Sequence, residues 1–459
     1  GGAIGATNSL EAINLQGSDA VIFSAAVKAT TISIDANSVN FNGNTTADIT
    51  VSSATEITLA AGKNIIGYVD VSVADLDVTL NMSGGDSTIT GKIGDTNAVT
   101  TINAASAENT STFGSSVNAG NIMLGSGTAV FKGEVNAEVI ADASHIELAD
   151  GVNINGNISS VGEYSGVLTL KGSSEINGYI GDERGFGVVI TASDSTATFN
   201  GVLNLSTLEL NGDVVFNKQA DIANTVYFTA DDQSMLVKAG SNFNTNFAGT
   251  DSIITFDATE GNITFNGNVA TNSDNTGTIQ VIGEGKQVAI NGAIGDETFA
   301  LSKIEIAAGV DQAKFSGGDV HTKNVIITGG SASFANNVTS TIQFNASGVG
   351  LVILDGVKIT GPIDNISGID NNGNIVISGN AEITGLVGNT KAISSISLQG
   401  PEGTNVIFGS DVKADSFEIG AGKGTLSGNV DADITVLGAL ELARGKIITG
   451  TIDGNDDNT

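Results

Sequence analysis

Histidine occurs twice in 459 residues, as His145 and His321, and cysteine does not occur. Without cysteine there are no disulfides, no thiolate metal sites and no Cys nucleophile. Ser144 adjoins His145, so a Ser-His-Asp relay is conceivable. No Gly-x-Ser-x-Gly elbow stands in a strand-turn-helix context, however, and both histidines read as surface or corner residues. Paired carboxylates are the stronger enzymatic option. Glycoside cleavage needs two carboxyls roughly 5–10 Å apart. Strands stacked ~4.8 Å apart would supply such pairs almost anywhere, so that geometry alone discriminates little. Sugar clefts also want aromatic platforms and arginines. The chain has no Trp, four Tyr (Tyr68, Tyr164, Tyr179, Tyr227) and two Arg (Arg184, Arg444). The carboxylates therefore read as a solvated face.

Two segments carry oxygen ligands at close spacing, Asp370-Asn371-Asn372-Gly373-Asn374 and Asp453-Gly454-Asn455-Asp456-Asp457. The first lacks the Glu that an EF-hand needs at its twelfth position, where Ala381 stands, and no Gly-Gly-x-Gly-x-Asp series occurs. Both read as turns that favour Asp and Asn. Gly125-Ser126-Gly127 and Gly420-Ala421-Gly422-Lys423-Gly424 do not fit a phosphate-binding loop and read as corners. No residue is assigned a catalytic, cofactor-binding or metal-ligating role, and the chain is not expected to be an enzyme.

Charge narrows the partners. Lys plus Arg is 18 and Asp plus Glu is 50, a net charge of −32. Nucleic acid and anionic membrane surfaces would both repel such a chain. No apolar run approaches the ~18 residues of a membrane span; the longest aliphatic run is about Leu351–Leu354. The sequence opens at Gly1 without a Met and is read as a piece of a larger precursor.

The elements that would position any of these residues are short strands. Thr31–Asp35, Ser38–Asn42, Val167–Leu170 and Asn374–Ser378 alternate apolar and polar residues between Gly, Asn, Asp or Ser. Helical periodicity is nearly absent. Strand should exceed about 40% of residues and helix fall below about 10%, against the usual ~20–25% and ~30–35%. Asn-Gly recurs at Asn42, Asn155, Asn177, Asn211, Asn266, Asn291 and Asn372. One such pair would suggest a hairpin; a series equally suits the corners of a coil, through residues that tolerate positive φ.

Repeats decide for the coil. Phe-x-[small]-x-Val opens at Phe23, Phe113, Phe131, Phe265, Phe334 and Phe408, with related phenylalanines at Phe41, Phe199 and Phe315. Phe23 and Phe41 are 18 residues apart, Phe113 and Phe131 also 18, and Phe315 and Phe334 19. That period fits one turn of a β-solenoid with three short strands and three corners. The six motif phenylalanines are the expected core. A longer repeat of about 90 residues, Gly-x-[Ile/Val]-Gly-[Asp/Asn/Ala], opens modules at Gly2, Gly91, Gly178, Gly292 and Gly385, with one wide interval after Gly178. The expected layout is a single solenoid rod over 1–452, followed by a frayed acidic end, 453–459. At ~4.8 Å per coil, some twenty coils would give a rod about 100 Å long.

These modules, as in Gly292-Ala293-Ile294-Gly295-Asp296 with Thr264-Phe265-Asn266-Gly267-Asn268, resemble the passenger regions of rickettsial surface cell antigens, in style nearest the outer-membrane-protein-B type of autotransporter. The resemblance spans essentially the whole chain and implies a right-handed, three-sided parallel β-helix. It also implies a passenger at the bacterial surface, tethered through an outer-membrane barrel outside this sequence, that acts in surface-layer formation and host-cell adhesion. The implied partner is a host-cell surface protein or further copies of the chain. Two other functions remain open: a carbohydrate-active lyase or hydrolase on the same scaffold, and a self-assembling coat or filament protein.

Overall fold

The structure, a computed structural model, describes residues 2–82 and 84–454. Among them are 50 strands and no helix, and strands hold more than half of the residues. The fold is all-β, a parallel-strand β-solenoid of about 22 turns. Contacts divide the chain into two compact units, Gly1–Asn224 and Thr225–Thr459, with the boundary inside the wide interval between Gly178 and Gly292. Of the acidic end, Asp453 and Gly454 close a short strand, Ile452–Gly454; the rest lies outside the described residues.

One coil of the first unit shows how the sequence makes the element. Thr110–Phe113 alternates outward threonine with buried Ser111 and Phe113. Gly114-Ser115-Ser116 turns the corner. Val117–Leu124 then bends at a register shift between Asn118 and Asn121, so one strand serves two sides. Val117, Ile122 and Leu124 are buried. β-Branched and aromatic residues at alternate positions suit a pleated surface with one dry face, which is why these segments form strands despite their brevity.

Stacking coil on coil gives columns of inward residues, more than one to a side, of which three are traced. In the first unit one column runs Ile4, Val27, Thr45, Ile65, Ile89, Phe113, Phe131, Leu148. The next runs Ile49, Val69, Ile93, Val117, Val135, Ile154, Ile176, Phe199, Phe216. The third runs Ile102, Ile122, Val139, Ile158, Ile180, Leu203, Ala220. All six expected core phenylalanines are buried. The 18- and 19-residue spacings are in-register partners: Phe23 pairs with Phe41, Phe113 with Phe131 and Phe315 with Phe334. Their rings stack with centroids 5.3, 4.7 and 5.0 Å apart.

The Asn-Gly pairs are corners, but for a different reason from the one expected. With Asn200-Gly201 there are eight such glycines, and only Gly373 has positive φ. At the others a side chain has no room: a Cβ on Gly156 would lie 1.8 Å from the Ala137 carbonyl oxygen, and one on Gly292 2.0 Å from that of Gly267. Adjacent coils approach too closely there for any larger residue. Positive φ belongs instead to the second glycine of Gly-x-[Ile/Val]-Gly. Gly94 has φ 69° and Gly388 φ 70°, and in all five motifs this glycine is left-handed.

The columns also explain the long period. From Ile4 the column climbs four coils, through Val27, Thr45 and Ile65 to Ile89; the next turn motif then opens at Ile93, in the adjacent column. From Ile93 four coils lead to Ile176, and the next motif opens at Ile180 in the third column. In the second unit, four coils from Ile294 lead to Ile383 before the motif at Val387. Outside the wide interval after Gly178, a module is therefore four coils.

Two substitutions test this packing. Phe131→Ala should destabilise by about 3–5 kcal/mol, as truncation of a buried aromatic does. Because coils contact only their neighbours, hydrogen exchange should rise near residues 110–150 and stay unchanged far from them. Thr45 sits in an apolar column with its hydroxyl buried and unpartnered. Thr45→Val should raise stability by about 1–3 kcal/mol, the penalty of an unsatisfied buried polar group; a lower denaturation midpoint would show that the hydroxyl has a partner.

Candidate interaction surface

The surface is built at the corners. Where a strand ends, the backbone N–H of a coil points at the preceding coil with no ladder carbonyl to receive it. Asp and Asn side chains supply the acceptor. Asp70 Oδ1 accepts the Thr96 N–H at 2.7 Å, Asp86 that of Thr110 at 2.7 Å, Asp411 that of Asn429 at 2.7 Å and Asp433 that of Thr451 at 2.8 Å. Some corners relay across three coils. Asp355 accepts from Asn380 N–H at 2.7 Å, and Asn380 Oδ1 accepts from Asn405 N–H at 2.9 Å. The acidic residues read from sequence as a solvated face are thus in good part structural acceptors. The hydrogen bonds show in their acidity. The Asn380 N–H, then its side-chain amide, holds the Asp355 carboxyl below the ordinary range. The Thr451 N–H and hydroxyl do so for Asp433, and the N–H groups of Phe299 and Thr298 for Asp296.

Asparagines at Asn-Gly and Asn-Gly-like corners form ladders. Asn155 Nδ2 donates to Asn136 at 2.7 Å, Asn177 to Asn155 at 2.6 Å, Asn200 to Asn177 at 2.6 Å and Asn217 to Asn200 at 2.5 Å. In the second unit Asn291 donates to Asn266 at 2.9 Å and Asn266 to Asn242 at 2.6 Å.

The residues with chemical potential do not assemble. Ser144 points inward, its Oγ buried and unpartnered. His145 points outward, with Nε2 2.8 Å from the Thr169 hydroxyl and 3.7 Å from Glu147. His321 lies on Gln312–Ile327, half-buried. In the 370–374 segment Asn371 donates to Asp415 at 3.1 Å, Asn372 to the Ala346 carbonyl at 2.6 Å, and Asp370 lies 3.6 Å from Lys391 Nζ. These groups diverge into separate bonds. Among the described residues, no three His, Asp or Glu stand close enough to hold a metal ion. The second segment lies outside the described residues beyond Gly454. One open groove of about 430 Å³ sets Tyr68 beside Asp48, Asp70, Asp95 and Lys92. Its carboxylates are engaged: Asp48 accepts the Tyr68 N–H at 3.3 Å, Asp70 holds Thr96, and Asp95 pairs with Lys92 at 2.9 Å.

What does protrude is a pair of loops at each module turn that has a coil before it. The upper loop follows the left-handed glycine, as at Gly94, Gly181, Gly295 and Gly388. The lower loop, on the preceding coil, contains a non-glycine residue at positive φ: Asp75 (59°), Tyr164 (47°), Asn275 (59°) and Asn371 (57°). Side chains tie each pair together. Asn97 Nδ2 donates to the Val71 carbonyl at 2.8 Å, and Arg184 Nη1 to that of Val161 at 2.6 Å. Asn365 Nδ2 donates to the Ala392 carbonyl at 3.1 Å, and the Ala300 N–H to Asp274 at 3.0 Å. Sequence reading marked the glycines of these turns but not their lower partners, whose spacing from the motif becomes visible only once the coils are stacked.

The chain is similar to outer membrane protein A of Rickettsia rickettsii, 27% identical over 432 residues, which cover 91% of this chain and 18% of that protein. It is also similar to outer membrane protein A of Rickettsia conorii, 31% identical over 178 residues, 37% of this chain and 7% of that protein. The chain spans less than a fifth of the length of these curated relatives. No protein-family profile matches it, and no solved structure matches it significantly. The resemblance to rickettsial surface antigens is borne out by this homology, with relatives of the A type where the repeat style resembled the B type.

The corner acceptors predict a response to acid. A carboxyl whose folded acidity is raised stabilises the fold above the unfolded pKa of ~3.9, and the gain is lost as pH falls through the lower folded value. Asp355→Ala should lower the denaturation midpoint at pH 7. Asp355→Asn, which keeps an acceptor but not the charge, should lower it less, and its gap from wild type should close as pH falls from the unfolded pKa of ~3.9 through the lower folded value. Midpoints for both variants that match wild type at pH 7 would remove the acceptor role.

Proposed function

We propose, for a chain similar along nine-tenths of its length to a rickettsial outer membrane protein, that it is the surface-exposed passenger region of an autotransporter. In this reading it is a structural surface-layer antigen that also adheres to host cells. The observation that carries it is the continuity of the similarity, 432 residues, on a scaffold that repeats one coil throughout. A solenoid of this kind offers extended surface and few enclosed pockets, which suits contact better than catalysis. The relatives' name supports a place at the cell surface; tethering through a barrel beyond this sequence is part of the proposal. No helix among the described residues is long and apolar enough to cross a membrane. The partner is a host-cell surface protein or further copies of the chain, and the net charge of −32 favours basic, salt-sensitive contacts.

A glycan-cleaving enzyme is the reading to test against, and the Tyr68 groove is where it would reside. Purified chain is incubated with cultured mammalian cells and with a polysaccharide panel. Saturable cell binding that weakens between 50 and 500 mM salt (on the order of one decade of ionic strength), with the polysaccharides intact, is the expected result. Release of reducing or unsaturated sugar ends, abolished by Asp70→Asn, would overturn it in favour of the enzyme.

A further inference from the structure

We infer that the paired loops at the module turns are the docking points for a protein partner with shallow apolar recesses rimmed by basic groups. This deepens the adhesive reading and rests on it. Three observations converge. First, five of the sixteen exposed large apolar residues among the described residues lie on these loops: Val73 (47% exposed), Val161 (45%) and Tyr164 (42%), and Ile366 (39%) and Ile369 (62%). Second, side chains tie the two loops of each pair together. Each lower loop has a non-glycine residue in the left-handed region, as do six other described residues, and three of the four are Asp or Asn, which adopt it readily. Tyr164 is the exception, and its surroundings hold it. Gly185, itself at φ 71°, carries no Cβ, and one there would meet the tyrosine ring at 2.4 Å; the ring lies on that backbone while Arg184 clamps the loop below. A rigid aromatic tip loses little entropy on contact, and Tyr and Arg dominate the centres of protein interfaces.

Third, the loops carry acids: Asp75, Asp77 and Asp95 on the Val73 pair, Glu163, Asp182 and Glu183 on the Val161 and Tyr164 pair, and Asp370, 3.6 Å from Lys391 Nζ, beside Ile369. All are exposed. The loops between Asp274 and Glu297 keep the acids without an equally exposed apolar tip. An apolar centre with an acidic rim complements an apolar recess with a basic rim, and repels anionic lipid. The step between columns adds geometry. Within Gly1–Asn224 the turn motifs at Ile4, Ile93 and Ile180 open on three successive columns, so the two paired loops of this unit face different sides. Each pair therefore presents its own side of the coil to a partner, and the pairs act as separate docking points.

The test uses the full chain and cultured mammalian cells as the probe. Val73→Ser, Val161→Ser with Tyr164→Ser, and Ile366→Ser with Ile369→Ser are made singly and together. Ile22→Ser, on an exposed strand position, is the control. Circular dichroism and thermal midpoints establish that each variant folds. Each loop variant should lower apparent binding in part and the combination should lower it severalfold, with the control unchanged. A second set, Glu163→Gln, Glu183→Gln and Glu297→Gln, leaves the packing alone and should flatten the salt dependence. Undiminished binding by the combined variant overturns the docking role alone. Loss of binding equal in the control and the loop variants also overturns it. Failure of the wild-type chain to bind cells overturns the adhesive reading, and the docking role with it.

Discussion

A parallel coil pairs its backbone along its flat stretches and abandons it at the corners. At an exposed corner an unpaired amide can turn to water, so an acceptor supplied by the neighbouring coil ties coil to coil where the ladder cannot. The side chains of Asp and Asn supply it by reaching one coil upward, oxygen to N–H, as Asp70 does for Thr96 and Asp355 for Asn380. The composition follows from that constraint. A carboxylate is a better acceptor than an amide, and it also keeps the surface charged. The same residues therefore hold the coils together, discourage edge-to-edge association and set the charge against which any partner must be matched.

Corners impose a second demand, for space. The Asn-Gly pairs meet both at once. The glycine lets adjacent backbones approach, as at Gly292 over Gly267, while the asparagine joins a ladder through Asn266 and Asn291. The sequence logic that links Asn-Gly to positive φ describes free turns. Here the neighbouring coil, not the local dihedral, selects the glycine.

Legibility in the sequence followed the range of each interaction. Strand alternation and the 18-residue phenylalanine spacing are short-range, and Phe113 over Phe131 was readable as one coil. The turn glycines were readable as a motif. Their left-handed backbone, the positive-φ Asp75, Tyr164, Asn275 and Asn371 opposite them, and the corner acceptors were not. Each depends on which residue of the next coil lies overhead, and coils here vary in length. Thus Phe113 stands 24 residues after its partner Ile89, yet only 18 before Phe131. The chemistry-bearing residues dispersed for a related reason. Neighbours on a strand face opposite ways, so Ser144 turns into the core and His145 out of it.

The step of the turn motif from column to column has a packing cause. A thin core has a fixed cross-section, and interiors tolerate neither voids nor excess volume. Where Phe113 and Phe131 fill one column, the adjacent columns hold Val117 and Val135, and Ile122 and Val139. Where Phe199 and Phe216 fill the second column, the third holds Leu203 and Ala220. A large residue in one column is compensated by smaller ones beside it, so the phenylalanines hand over from column to column along the axis. The turn motif enters the first two columns at a β-branched stretch, before the phenylalanines, as Ile93 does ahead of Val117, Val135 and Phe199. The handover of core volume and the stepping of the loops are then one periodicity seen from inside and outside. The sequence keeps its core even by rotating its repeat, and that rotation distributes equivalent loops round the coil.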